Sequence, residues 1–492
     1  MRTLLLWPAF GEEYSKYPPL GIAYIAAVLR ENDFSVEIID AAKYGNNKEF
    51  EIELREKSPD VLGISVPSVY YEKALEAARI AKKALPHVTV VFGGPHPTVL
   101  PEETLKNPEV DIVVYGEGEI KFLNLLKAIQ EKTGINRVKG IYYKVDGEIL
   151  KTPDDEYISN LDSIPFPARD LLPMKEYLRQ APTLPLPYPS TSIVPSRGCY
   201  GNCRFCQPSL RKLFGRGIRY RSLKNVVDEI VFLKDRYKVK GLFFADDEPT
   251  WAKEWMMAFC EEIKRRKVKI KWICPSRVDT IDREMLTAMK EAGCIQIGFG
   301  VESGSRRVLR YYRKGVKPEQ IAPVFAMCNQ IGIIARANIM IGAPSETGED
   351  VQDTIRLIER IKPDLIAISV TTPIVGTDLF FDAKEKNLLR IESLSGYNRF
   401  DIGTMKRELS DLEIKHWIKR MVRTYRREIM KIILNPISLY RRRHLFYHVF
   451  VHWFTMLQNP LGLIKDISYY LNYANKERME ERSMNLSFRL PT

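Results

Sequence analysis

The sequence predicts an α/β protein: a doubly wound parallel sheet, then a partial, open barrel of six strand-helix units, then a helical C-terminal region. Three observations carry that reading. Short apolar runs alternate with amphipathic helical patterns from residue 1 to about 132, the alternation resumes from about 191 to 385, and helical patterning follows from 386 to 492. At 492 residues the chain exceeds one ordinary core and suits two or three domains of roughly 150 residues.

In the first unit the runs TLLLW, SVEII, DVLGISV, VTVVF and DIVVY are separated by helical stretches such as GIAYIAAVLRE and YEKALEAARIAKKAL. Repeats of this kind indicate parallel strands covered by helices, a Rossmann-like arrangement. Such sheets bind ligands at the carboxyl ends of their strands, which here carry PAFG, SVPS, GGPHPT and GEGE. A planar ligand could approach backbone at these loops. Residues 133–190 change character: IYYKVDGEI reads as a hairpin with a D-G turn, and SIPFPARDLLP and APTLPLPYPS are proline-rich, so a linker is expected.

The second series, SIVPS, GLFFA, KIKWICPS, IQIGFG, ANIMIG and LIAISV, is too short for a closed eight-stranded barrel and suits an open one. Its active end is again the carboxyl end of the strands. In the tail, LFYHVFVHWFTML (445–457) would make a helix of about 20 Å, short of the roughly 30 Å hydrocarbon core. The net charge of +13 is concentrated here, with 12 Lys/Arg against 4 Asp/Glu from Lys406 to Arg443. Basic, aromatic helices of this type lie on anionic membrane surfaces; a helical cap on the barrel with a solvated basic side is the alternative. Nucleic acid is not expected, since no binding module accompanies the charge.

Seven cysteines, four of them isolated in apolar segments, do not form a secreted disulfide framework. Cys260, Cys274, Cys294 and Cys328 read as buried free thiols. No basic n-region or long apolar h-region opens the chain, so a cytoplasmic location is expected, with peripheral membrane contact open through the tail. Cys199, Cys203 and Cys206 lie within RGCYGNCRFCQPS, directly after the first strand of the second series. Their C-x3-C-x2-C spacing lets three thiolates wrap one face of an iron-sulfur cube and leaves the fourth iron without a protein ligand. A closed zinc site would need a fourth ligand at similar spacing, and neither Cys nor His occurs between Cys206 and Cys260.

With Phe205 before the last cysteine, this motif resembles the signature of the radical S-adenosylmethionine (SAM) superfamily. The resemblance implies a 4Fe-4S cluster on Cys199, Cys203 and Cys206, with SAM chelated to the open iron. It further implies reductive cleavage of SAM to a 5'-deoxyadenosyl radical. FFADDEPT resembles the family's Gly-Gly-Glu-like segment, so Asp246 or Asp247 is expected to receive the SAM ammonium, with a surface acid as the alternative for Asp247. GFGVESGS resembles G-x-E-S-G-S and implies Glu302 and Ser303 near SAM's polar groups. RANIMIGAPSET resembles the fifth-strand region that supports adenine and ribose, which implies Arg336 and Gly342, although Asn338 stands at its first glycine and Glu346 falls one residue late.

The N-terminal unit, with PPLGIAYIAAVL, GGPHPTVLPEE and VDIVVYGEGE, resembles the cobalamin-binding domain that precedes many such barrels. Together the two resemblances cover about 1–385. They imply cobalamin, with Ser65, Gly93, Gly94 and Gly116 as backbone-close contacts and His96 facing the corrin or sitting as a plain loop histidine. The D-x-H-x-x-G motif, whose histidine coordinates cobalt from below, is absent: His87 and His96 are the only histidines before residue 400.

The activity so implied is cobalamin-dependent methylation or C-C bond formation at an unactivated carbon. A lipid or other hydrophobic small-molecule substrate is expected from the tail, and the reductant would be a protein such as ferredoxin or flavodoxin. Natural-product, tetrapyrrole or peptide substrates stay open, as does a non-catalytic iron-sulfur regulatory protein.

Overall fold

The apolar runs of the first unit form five parallel strands: β1 (Arg2–Trp7), β2 (Ser35–Asp40), β3 (Val61–Ser65), β4 (Thr89–Gly93) and β5 (Ile112–Val114). The computed structural model describes residues 1–12, 17–179, 186–390 and 402–442. Near-continuous burial along β1 and β3 follows from helices packed on both faces of the sheet. The D-G hairpin is present as β6 (Ile141–Val145) and β7 (Glu148–Lys151), turning at Asp146 and Gly147, both with positive φ. It does not stand apart as a linker. β6 pairs antiparallel with β5, so the sheet has seven strands in the order β2-β1-β3-β4-β5-β6-β7.

The second unit begins with β8 (Ser190–Ile193) and a two-stranded ribbon of β9 (Ser196–Arg197) and β10 (Arg219–Tyr220). Next come β11 (Gly241–Phe244), β12 (Lys271–Ser276), β13 (Cys294–Glu302), β14 (Ile334–Ile341) and β15 (Leu365–Val370). β8 and β11 to β15 form a six-stranded parallel sheet in the order β15-β14-β13-β12-β11-β8, the open barrel expected from six units. Alternation along β14 separates two faces. Ala335, Ala337, Ile339 and Ile341 join the core beneath the helices, whereas Arg336, Asn338 and Met340 face the barrel interior and stay half-buried. Cys260, Cys274, Cys294 and Cys328 are buried and free, as expected.

The described part of the C-terminal region is mainly one basic helix, Asp411–Leu434, capped by Ser410 and Glu413. Ile414, Met421, Trp417, Ile418 and Tyr425 pack on the barrel core, which makes this helix a cap over the helix Gly348–Ile361. No described helix is long and apolar enough to cross a membrane. LFYHVFVHWFTML lies outside the described residues.

Candidate active site

Gly198 opens the cysteine loop with φ +97°, and a Cβ there would meet the Gly217 carbonyl oxygen at 2.3 Å. Only glycine satisfies both demands, which explains the RGC sequence. Beyond it, Cys206 and Gln207 donate their backbone N–H groups to the Cys203 carbonyl at 3.0 and 2.9 Å, closing a tight turn that carries the second and third cysteines. Phe205 packs edge-on against buried Tyr312, ring centroids 5.4 Å apart.

Burial pushes the Cys199 thiol up to about 11 and raises Cys203 and Cys206 as well, so the charge of bound iron is needed to hold them as thiolates. Among the described residues no three His, Cys, Asp or Glu converge on a single metal ion. A point beside Gly201 instead lies 3.2 Å from Cys199 Sγ and 3.8 Å from Cys203 Sγ, on one side of the loop. Three free thiols spread over one loop fit a cube that takes one thiolate per iron. The loop's neighbours are cationic: the Arg277 side chain donates to Cys203, and Lys314 lies close enough to act on it electrostatically.

The acidic end of β11 holds this loop in place. Asp246 accepts from the Ser196 N–H at 2.8 Å and its hydroxyl at 2.6 Å, and Asp247 accepts from the Gly198 N–H. Both expected ammonium ligands are thus spent in part on the two residues leading into Cys199. Glu248 is a further candidate that the resemblance passed over. It is buried, accepts from Thr250 Oγ1 at 2.7 Å and the Arg277 N–H at 3.2 Å, and together with Asp247 raises the Cys199 thiol. Its signal was a third carboxylate at the same strand end, directly before Pro249.

Burial also pushes Asp246 and Glu346 up to about 7. Both bind protons more tightly folded than unfolded, so their contribution to stability is full below about pH 4 and declines as the pH rises towards 7. Urea unfolding of wild type is expected to lose more stability between about pH 5 and pH 8 than Asp246→Asn does. Parallel curves for the two proteins would contradict this.

Glu302 has φ +59° at the bulged end of β13 and pairs with buried Lys314 at 2.8 Å. Through that lysine it reaches the cysteine loop. Ser303 turns away: its hydroxyl meets Thr354 Oγ1 at 3.1 Å and accepts from the Ser305 N–H. Gly342 is held by its own neighbours, its N–H donating to Glu346 at 2.5 Å and its carbonyl accepting from Arg407 at 3.0 Å. Arg336 lies lower, on the inner face of β14, paired in register with Gly298.

At the other unit's strand ends, Ser65, Gly93, Gly94 and Gly116 line one cavity of about 470 Å³ with Arg197, Asp246 and Asp247 of the barrel. The strand ends of the two sheets therefore share one space. Leu5, Trp7, Ile25, Phe122 and Phe214 make its walls largely apolar. Gly94 has φ +92°, and a Cβ would come within 3.1 Å of the Val66 nitrogen, so bare backbone is presented to the cavity. Exposed backbone and apolar walls fit the approach of a corrin edge.

His96 is not on this cavity. Its ring stacks on Tyr71 at 3.9 Å with Nδ1 3.2 Å from Ser68 Oγ, and burial lowers its pKa to about 4, the environment of a packing histidine. Buried ion pairs lock the two units: Arg197 reaches Glu117 at 2.8 Å and Glu119 at 2.6 Å, and Arg219 reaches Glu117 at 2.9 Å.

Two family models match, the B12 binding domain over residues 8–126 and the radical SAM superfamily over residues 193–358. An uncharacterized methyltransferase of Pyrococcus horikoshii is 33% identical over 451 residues, covering 91% of this chain and 94% of that protein. The anaerobic magnesium-protoporphyrin IX monomethyl ester cyclase of Rubrivivax gelatinosus is 30% identical over 450 residues, covering 87% and 78%. Among solved structures, the radical SAM methyltransferase TsrM from Kitasatospora setae, with cobalamin and a 4Fe-4S cluster bound, shares this fold: TM-score 0.69, 17% identity, 90% of each chain. Similarity over nearly the whole chain, joined to the cysteine loop and the shared cavity, places the protein among the radical SAM enzymes with an N-terminal cobalamin-binding domain, whose cofactors are a 4Fe-4S cluster, SAM and cobalamin.

Proposed function

We propose that this enzyme transfers a methyl group to an unactivated carbon of a hydrophobic substrate. The observation that carries the reading is the shared, largely apolar cavity onto which Gly93, Gly94 and Gly116 open from one side and Asp246 and Asp247 from the other. When bound, the cluster and SAM supply a 5'-deoxyadenosyl radical and cobalamin supplies the methyl group. The chain's own part is to orient and exclude. Asp246 and Asp247 fix the approach to Cys199, Arg197 holds that approach against Glu117 and Glu119, and the apolar walls keep water from a reactive carbon.

Anaerobically reconstituted enzyme, given a reductant, lipid or metabolite extract and SAM with a deuterated methyl group, is expected to form 5'-deoxyadenosine and a labelled product. Formation of 5'-deoxyadenosine with an unlabelled, altered product would replace methylation by C-C bond formation, a reading favoured by the cyclase among the relatives.

A hydrophobic substrate is further supported by the exposed Met430, Ile433, Leu434, Ile437 and Tyr440 at the end of the basic C-terminal helices. The full chain is expected to float with anionic vesicles and to do so less after Ile433→Ser/Leu434→Ser/Ile437→Ser. Equal flotation of the two proteins would remove that support.

A further inference from the structure

Four cations at or beside the cysteine loop have a carboxylate partner. Lys314 pairs with Glu302, Arg277 with Asp279, Arg197 with Glu117 and Glu119, and Arg204 with Asp382. Arg336 differs. It faces the interior of the barrel, is half-buried, and its guanidinium has no hydrogen bond or ion pair among the described residues. A buried cation is normally paired, because desolvation is otherwise uncompensated.

Its surroundings leave room for a ligand. Gly298, its register partner on β13, carries no side chain, and a Cβ built there would meet only Asn338 Nδ2 at 3.5 Å and the Cys274 carbonyl at 3.9 Å. Gln296, two residues earlier on the same face of β13, has a buried Oε1 without a hydrogen-bond partner. Tyr17 of the N-terminal unit, which stacks on Phe243 of β11 at 4.9 Å, acts electrostatically on Arg336. The guanidinium therefore sits in the barrel interior where the two units meet. Burial lowers its pKa, the direction that a bound anion would reverse.

We propose that Arg336, with Asn338 and Gln296 beside it, forms an oxyanion subsite in the barrel that anchors a carboxylate or phosphate on the substrate. This rests on the reading of a hydrophobic substrate and narrows it to an amphiphile whose anionic end enters the barrel. Guanidinium recognises either group through paired N–H donors.

The test measures binding without turnover, so it stands or falls separately from methyl transfer. Hexanoate, hexyl phosphate and hexanol are titrated into the anaerobic, cluster-loaded full chain, and the shift of the thermal unfolding midpoint is read. At least one anion is expected to stabilise wild type more than hexanol does. Arg336→Gln is expected to weaken that anion about tenfold or more, Arg336→Lys to keep the charge-dependent part of the effect but not the part due to paired donors, and hexanol to be unchanged. Preference between hexanoate and hexyl phosphate assigns the group as carboxylate or phosphate.

Iron content and circular dichroism confirm that each variant is folded and loaded. Equal stabilisation of wild type and Arg336→Gln would overturn the proposal. So would a loss confined to SAM, read from the SAM-dependent EPR change of the reduced cluster, because Arg336 would then serve the cofactor.

Discussion

Cys203→Ala is expected to abolish 5'-deoxyadenosine formation, by about a thousandfold or more, while leaving the chain folded. The side chain is buried in the cysteine loop, and its neighbours Arg277 and Lys314 are arranged to face a thiolate. Without it two of the three loop thiolates remain to hold the cube. Iron per chain should fall from about four to below one after anaerobic reconstitution, with loss of the visible charge-transfer absorption. Cys260→Ala is the control, since that thiol lies in the core between helices and should change neither readout. Full iron retention in Cys203→Ala would refute the assignment.

The second large effect is expected in stability. Arg197→Met leaves Glu119 buried without its guanidinium partner, at a cost of about 3 kcal/mol in urea unfolding. Arg219 still neutralises Glu117, which is why the cost is not larger. Adding Glu119→Gln should recover part of the loss, because the unpaired charge is then gone. The same substitution should lower the cobalt retained through gel filtration, since Arg197 ties the cysteine loop to the segment between Gly116 and Glu119 that lines the shared cavity. A variant as stable as wild type would show that these ion pairs only break even with solvation.

The order of strands was legible in the sequence because each apolar run keeps strand length and each intervening segment keeps helical periodicity. TLLLW, VTVVF and ANIMIG became β1, β4 and β14 where expected. The three cysteines were legible because their ligand spacing is local. What escaped depends on contacts between distant segments. Nothing in IYYKVDGEI announces that it will pair with β5, and nothing in GGPHPT says that His96 turns under Tyr71 while the adjacent glycines face the cavity. Likewise, Asp246 and Asp247 are adjacent acids in the sequence, and only the fold brings Ser196 and Gly198 to them. Arg197 stands first in RGCYGNCRFCQPS, and its partners lie 80 and 78 residues earlier. The basic tail had two readings. Asp411–Leu434 carries features of both, since Ile414, Trp417, Ile418, Met421 and Tyr425 pack on the barrel core while Met430, Ile433 and Leu434 at its end stay exposed.

The pairing of β6 with β5 bears on how the chain emerges from the ribosome. Ile112, Val113 and Val114 have β4 on one side, and their other row of backbone donors and acceptors stays open until β6 arrives. During synthesis, an almost entirely apolar strand therefore waits uncovered until the hairpin through Lys151 has left the exit tunnel. A fragment ending at residue 132 would make that interval permanent and is expected to self-associate, whereas one carried through Lys151 closes its own sheet.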